Sequence, residues 1–156
     1  MATVILVRHG RTTANATGLL AGRASGVSLD QIGREQAALT GERLAAVPVV
    51  GVVSSPLERC QQTAQLILDR QAGAPYAPLE SDLTECDYGQ WQGRTLSDLA
   101  TEDLWSAVQS QPSAVIFPGG ESMAARQARA GGAIRRHEAR LEARCGGGGR
   151  GGGGGG

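Results

Sequence analysis

The feature that most constrains the fold of this chain is a run of four apolar residues, Val4 to Val7, that ends abruptly in Arg8, His9 and Gly10. A short unbroken apolar run predicts a strand buried on both faces, as in a parallel sheet. Gly10 then allows a sharp exit, because glycine tolerates backbone angles that other residues avoid. We therefore expect Arg8 and His9 at the carboxyl end of a central strand, which is where open α/β sheets bind ligands.

The two polar residues at this strand end suggest phosphate chemistry. The guanidinium of Arg8 is a planar fork of donors suited to phosphate. The imidazole of His9 can attack an electrophile or move protons near neutral pH. Taken alone, an Arg–His pair at a strand end is more often part of a solvated loop than of a catalytic site. The interpretation therefore depends on which other residues reach the same edge.

The overall composition excludes several classes of protein. A chain of 156 residues is long enough for one domain with a core. Its 15 basic and 15 acidic residues cancel, which argues against a nucleic-acid or membrane-surface binder. Its apolar runs are too short to cross a bilayer, and it begins without a secretory signal pattern. Cys60, Cys86 and Cys145 form neither a metal-ligand pattern nor a disulfide framework, so we expect a reducing, cytoplasmic location.

A second apolar run is also followed directly by polar residues, in this case at the start of a predicted helix. Residues 49–53 predict a buried strand rich in β-branched side chains. Ser55, Pro56 and Glu58 then have the spacing of a capping box that begins a helix. Arg59 lies in the first turn of this helix, where free backbone N–H groups favour an anion rather than a cation. Either a bound phosphate accounts for this cation or its side chain points into solvent, and on this residue alone the second is slightly favoured.

The remaining elements complete the expected α/β order. They are a helix capped by Ser28 or Asp30 and ending near Ala46, a linker at 71–78, a structured loop at 79–93, a helical core stripe at 96–108, and a late helix after a turn at 116–122. From Gly146 to Gly156 every residue except Arg150 is glycine. Such a run cannot offset its ordering entropy by burying apolar area. We therefore predict a domain at 1–144 and a disordered tail at 145–156.

Four separated motifs then agree with one family. They are Val-Arg-His-Gly-x-Thr, Ser-Ser-Pro-x-x-Arg-x-x-x-Thr-Ala, Leu-x-Glu-x-x-Tyr-Gly-x-Trp-x-Gly and Pro-Gly-Gly-Glu-Ser. In this order they resemble the histidine phosphatase superfamily, the phosphoglycerate-mutase-like proteins, from about Thr3 to about Arg144. The resemblance implies a three-layer α/β/α sandwich with a mostly parallel central sheet.

The resemblance also implies a role for each candidate site residue. His9 is similar to the nucleophile that forms a phosphohistidine. Arg8 and Arg59 resemble the clamp that neutralises the phosphate oxygens. Asn15 resembles a further phosphate contact through its amide, and Glu85 resembles the acid that protonates the leaving oxygen. The implied partner is a small phosphorylated substrate, with no cofactor, no metal, no nucleic acid and no membrane, and with the oligomeric state open.

One departure from the family keeps three functions open. Family members carry a second active-site histidine in a Ser-His-Gly motif after the late helix, where this chain becomes poly-glycine. The other histidine, His137, lies inside the late helix, and we interpret it as a helix-face residue. The resemblance therefore implies that the last strand, or strands, and the final helix are missing through truncation or a frameshift. We expect a phosphatase acting on small phosphate monoesters. The alternatives are a phosphoglycerate-mutase-type phosphoryl transfer and a non-catalytic binder of phosphorylated ligands.

Overall fold

The computed structural model describes residues 3–146 of the chain. Its α-helices are α1 (Thr13–Ala16), α2 (Gln31–Leu44), α3 (Glu58–Leu68), α4 (Leu96–Leu99), α5 (Leu104–Ser110) and α6 (Met123–Gly146), and short 3-10 helices lie at Ser81–Leu83, Gly89–Trp91 and Pro112–Ala114. Among these described residues, no helix is both long and apolar enough to span a membrane. The predicted tail lies outside the described residues from position 147 onward.

Helices α2 and α3 pack closely against each other. Asp30 is the N-cap of α2, and its carboxylate accepts a hydrogen bond from the Gly33 N–H at 2.7 Å. This confirms one of the two predicted caps. A Cβ at Gly41 would lie 2.8 Å from the carbonyl oxygen of Leu66, so only glycine permits this approach between the two backbones. Ile67 is buried at the same contact.

The predicted start of helix α3 is wrong. The helix begins at Glu58 with the apolar Leu57 as its N-cap, so the residue in the capping position has no side-chain oxygen. Ser55 lies upstream, and its hydroxyl accepts a hydrogen bond from the Leu57 N–H at 3.3 Å. The carboxylate of Glu58 does not reach back, because it accepts hydrogen bonds from Ser28 and Gln62. A distant partner, Ser28, and a neighbour in the same helix, Gln62, therefore occupy the carboxylate in place of the expected capping box.

The sheet is represented by isolated bridges rather than by strands within residues 3–146. Parallel bridges join Gly51 to Tyr76 and Ser54 to Leu79. They are supported by hydrogen bonds such as Val52 N–H to the Tyr76 carbonyl at 2.8 Å. Within the described residues, the segment predicted as a strand at 49–53 therefore pairs in parallel with residues 76–79. Most of this partner was predicted to be a linker, at 71–78. The burial of the segment 49–53 was overestimated, since Val50 is 55% exposed.

The prediction of a buried central strand at the start of the chain is also wrong for the described residues. Val4, Ile5, Leu6 and Val7 are 45%, 49%, 80% and 42% exposed. Within residues 3–146, no bridge or backbone hydrogen bond joins the segment 4–8 to another segment. A strand is buried by its neighbours, and no neighbouring strand lies beside this one in the part of the chain that the structure describes.

The loop at 79–93 contributes two residues to the hydrophobic core. The buried members of this core are Cys86, Trp91, Leu99, Val115 and Phe117. Trp91 packs edge-to-face on Phe117 with ring centroids 5.4 Å apart, which favours a defined ring geometry. The predicted core stripe at 96–108 is confirmed for Leu99, Trp105 and Val108, which are divided between α4 and α5. It is wrong for Leu96, which is 44% exposed. Because Cys86 is fully buried, the core fixes the loop immediately beside Glu85.

Candidate active site

The imidazole of His9 lies against the guanidinium of Arg59. The Nδ1 atom is 2.7 Å from the carbonyl oxygen of Gly10, and the Arg59 Nε–H points at the His9 Nε2 atom at 3.2 Å. A carbonyl can only accept a hydrogen bond, so the proton is assigned to Nδ1. The Nε2 atom then keeps its lone pair, so it is the ring nitrogen that is chemically able to attack an electrophile.

Arg59 is buried rather than directed into solvent. Its residue is only 4% exposed, and its Nη2 donates to the Gly22 carbonyl at 2.8 Å. The solvent orientation that was slightly favoured for this residue taken alone is therefore wrong. The side chain is held inside the protein by long-range hydrogen bonds, because its two acceptors lie 37 and 50 residues earlier in the chain. This guanidinium joins helix α3, the early loop and His9 at one place.

The electrostatics of the site favour a neutral imidazole. Burial lowers the pKa of His9 below its ordinary value, and the positive charges of Arg59 and Arg8 lower it further. The hydrogen bond to Gly10 and the charge of Glu85 act in the opposite direction. These effects also place Arg8 and Glu85 within electrostatic range of the imidazole.

The turn after His9 is held by two helices. The buried Gly10 N–H donates to the Thr63 hydroxyl of α3 at 3.1 Å, and that hydroxyl donates to the Arg59 carbonyl at 2.8 Å. A Cβ at Gly10 would lie 2.2 Å from the Gly33 carbonyl oxygen at the start of α2. Gly10 is therefore required by close packing and not by a left-handed backbone angle.

Asn15 makes its side-chain hydrogen bonds within the cap of helix α1. Its Oδ1 accepts hydrogen bonds from the Thr12 N–H at 3.0 Å and the Thr12 hydroxyl at 2.9 Å, in the cap of helix α1. This contact fixes the direction of the exposed amide. Of the five predicted site residues, the structure brings His9 and Arg59 into direct contact, holds Arg8 and Glu85 within electrostatic range, and uses Asn15 locally.

The carboxylate of Glu85 is oriented by groups on both sides of the loop. Its Oε1 accepts the Cys86 N–H at 2.8 Å and lies 3.2 Å from the Arg126 Nη2 of helix α6. The backbone carbonyl of Glu85 accepts from Arg23 and Arg129. The sequence-based reasoning missed these three arginines. The spacing of Arg126 and Arg129, which are three residues apart on one helix face, was the available signal.

His137 makes its side-chain hydrogen bond with Glu80 and not with a predicted site residue. It is buried on helix α6, and its Nε2 is 2.8 Å from the Glu80 carboxylate. This position agrees with the interpretation as a helix-face residue. Within residues 3–146, no group of three or more potential ligands is arranged to hold a metal ion.

Comparison with known proteins relates the chain to α/β phosphatases and phosphoglycerate mutases. The adenosylcobalamin/alpha-ribazole phosphatase of Escherichia coli K12 is 41% identical over 99 residues, which are 63% of this chain and 47% of that protein. The 2,3-bisphosphoglycerate-dependent phosphoglycerate mutase 2 of Gloeobacter violaceus is 33% identical over 132 residues, 79% of this chain and 57% of that protein. The chain belongs to the histidine phosphatase superfamily (branch 1), whose family model matches residues 4–145.

Solved structures support the same relationship. The alpha-ribazole phosphatase from Shigella flexneri superposes with a TM-score of 0.72 at 34% identity, covering 87% of this chain and 67% of that one. The mycobacterial glucosyl-3-phosphoglycerate phosphatase gives 0.72 at 27% identity, covering 85% and 61%. These likenesses show that the chain has the fold of histidine phosphatases, and they are consistent with an α/β architecture. The chain spans about half the length of the curated relatives it matches.

Proposed function

We propose that this chain carries the active centre of a phosphatase that hydrolyses small phosphate monoesters through a phosphohistidine on His9. The observation that supports this most is the His9 imidazole itself. Its proton is assigned to Nδ1 by the Gly10 carbonyl, and its Nε2 lone pair faces the buried guanidinium of Arg59. Relatives named as phosphatases of phosphorylated small molecules add support.

The reaction would proceed in two displacements at phosphorus. The His9 Nε2 attacks, the P–N bond forms, and the bond to the ester oxygen breaks as that oxygen takes the carboxyl proton of Glu85. Water then attacks the phosphohistidine and gives a proton to the Glu85 carboxylate. The P–N bond breaks with its electron pair returning to Nε2, and inorganic phosphate leaves.

The cations would exchange partners when the ester binds. Arg59 donates to His9 in the free protein, and a phosphate oxygen would take this donor, which frees the Nε2 lone pair for attack. Arg8 would supply the second positive charge of the clamp, and the Asn15 amide a neutral donor. A dianionic ester would also compete with Glu85 for Arg126, which releases that carboxylate to accept a proton.

Hydrolysis of p-nitrophenyl phosphate by the full chain tests this proposal. We expect turnover that His9→Gln reduces to the background rate. The matched control is His137→Gln, which removes the other histidine of the chain and should keep turnover within a few-fold. Equal turnover by His9→Gln and the wild type would contradict the proposal. Phosphate binding without turnover by the wild type would favour the non-catalytic binder.

Phosphoryl transfer to a second substrate is the rival activity, and the Gloeobacter violaceus relative is named as a phosphoglycerate mutase. Both activities share the phosphohistidine and differ in what attacks it. Phosphorus-31 spectra with 2,3-bisphosphoglycerate and a phosphoglycerate acceptor separate them. Hydrolysis releases inorganic phosphate, whereas a mutase conserves the ester and changes its position.

A further inference from the structure

The side chain of Arg129 is built into the loop that carries Glu85. Its Nη1 donates to the carbonyls of Asp82 and Thr84, both at 2.8 Å, and its Nη2 donates to the carbonyl of Glu85 at 3.1 Å. The guanidinium therefore binds three carbonyls within four consecutive residues. Its side chain is only 18% exposed, so these hydrogen bonds are largely shielded from water.

Glu121 completes the attachment from the other side of the same guanidinium. Its two carboxylate oxygens accept from the Arg129 Nη2 at 2.5 Å and from Nε at 3.1 Å, in the bidentate geometry that suits arginine. The Asp87 N–H also donates to this carboxylate, at 3.0 Å. The hydrogen bond from Arg129 lowers the pKa of Glu121 to about 2, so the carboxylate stays ionised near neutral pH.

The donor count separates this arginine from a phosphate ligand. A guanidinium has five N–H groups, and Arg129 directs all five at Asp82, Thr84, Glu85 and the two oxygens of Glu121. No donor remains for a substrate oxygen without breaking one of these bonds. By contrast, the Arg126 side chain is 42% exposed, and its guanidinium contacts the Glu85 carboxylate through Nη2, so its other N–H groups can donate to a substrate oxygen.

We propose that Arg129, held by Glu121, is a positioning residue that fixes the backbone of residues 82–87 and so aims the Glu85 carboxyl at the leaving oxygen. This inference rests on the proposed function. Misplacement of a proton donor by about 1 Å can cost about 100-fold in rate. The cost falls on esters whose leaving oxygen needs a proton, because a good leaving group departs without one.

The test is the rapid-quench rate of His9 phosphorylation in Arg129→Gln with two esters. Glycerol 2-phosphate has a poor leaving group and p-nitrophenyl phosphate a good one. We expect phosphorylation to slow about 100-fold with the first and by less than about 5-fold with the second. Equal slowing with both esters, or no slowing with either, would overturn the proposal.

Arg136→Gln is the matched control on the same helix. Arg136 contacts the carboxylates of Asp82 and Glu80 at 2.6 and 3.4 Å, and its side chain is 49% exposed. This control removes an equal charge and two ion pairs to the same loop, but no hydrogen bond to the Glu85 carbonyl. We expect it to keep the ratio of the two phosphorylation rates within about 3-fold of the wild type.

Amide hydrogen exchange at Cys86 and Asp87 gives an answer that does not depend on turnover. Exchange there should quicken in Arg129→Gln and in Arg129→Lys, since an ammonium cannot span three carbonyls, but not in Arg136→Gln. Unchanged exchange in the folded Arg129→Lys variant would overturn the positioning role. A wild type that never phosphorylates His9 would refute the proposed function instead, and the exchange result would still decide the role of Arg129.

Discussion

Replacement of Thr63 by valine tests how helix α3 holds the turn after His9. The Thr63 hydroxyl is the acceptor for the buried Gly10 N–H, and the residue is only 4% exposed. Valine keeps the shape and removes the acceptor, which leaves a buried N–H unsatisfied at a cost of about 1–3 kcal/mol. The Arg59 carbonyl loses only the side-chain bond, because as a helical carbonyl it still accepts from a backbone N–H.

Urea denaturation of the full chain, followed by tryptophan fluorescence, measures this cost. With a slope of about 2 kcal/mol per molar urea, the midpoint should fall by about 0.5–1.5 M at unchanged slope. Thr40→Val is the matched control, since the Thr40 hydroxyl donates to the Gln36 carbonyl four residues earlier in an exposed hydrogen bond, and the residue is only partly buried. It should change stability by less than about 0.5 kcal/mol. Equal midpoints for the two variants would refute the assigned role of the Thr63 hydroxyl.

Three further predictions follow from the same packing and charge. Because burial lowers the pKa of His9 from its ordinary 6.5, the unfolded chain binds its proton more readily. The free energy of unfolding should therefore be constant with respect to this residue above pH 6.5 and should decrease as the pH falls through that value. Identical plots of the free energy of unfolding against pH for the wild type and His9→Gln would contradict this. Gly33→Ala places a Cβ 1.9 Å from the Arg11 carbonyl oxygen and should cost about 3 kcal/mol in urea denaturation, whereas no loss would show that the turn can move. Gly131→Ala meets only the end of the Arg135 side chain at 3.5 Å, so it should stabilise α6 by about 0.5–1 kcal/mol; a lower midpoint would count against that packing.

Local signals in the sequence predicted local structure well. Asp30 caps α2 as expected, because a cap depends on a carboxylate and an N–H only three residues apart. The turn before α6 and the core packing of Leu99, Trp105 and Val108 were likewise predicted from spacing alone. The motifs also selected the family, since four separated patterns in the right order seldom agree by chance.

Contacts between distant segments could not be predicted in this way. The apolar run at 4–7 has the composition of a buried strand, yet its burial depends on a neighbour that no local pattern supplies. The direction of the Arg59 side chain depends on its acceptors Gly22 and His9. The Glu58 carboxylate does not cap its helix, because it accepts a hydrogen bond from the distant Ser28. The contacts of Arg129 could not be predicted for the same reason, because its carbonyl partners lie 44 to 47 residues earlier in the chain.

The most direct test of the account is to trap the phosphorylated chain. The 156-residue chain is mixed with phosphorus-32-labelled ester, quenched in alkaline detergent and digested, and the labelled peptide is identified by mass spectrometry. We expect label on His9 in the wild type and in His137→Gln, and none in His9→Gln. Label that persists in His9→Gln, or that maps to another residue in the wild type, would contradict the assignment of the His9 Nε2 atom as the nucleophile.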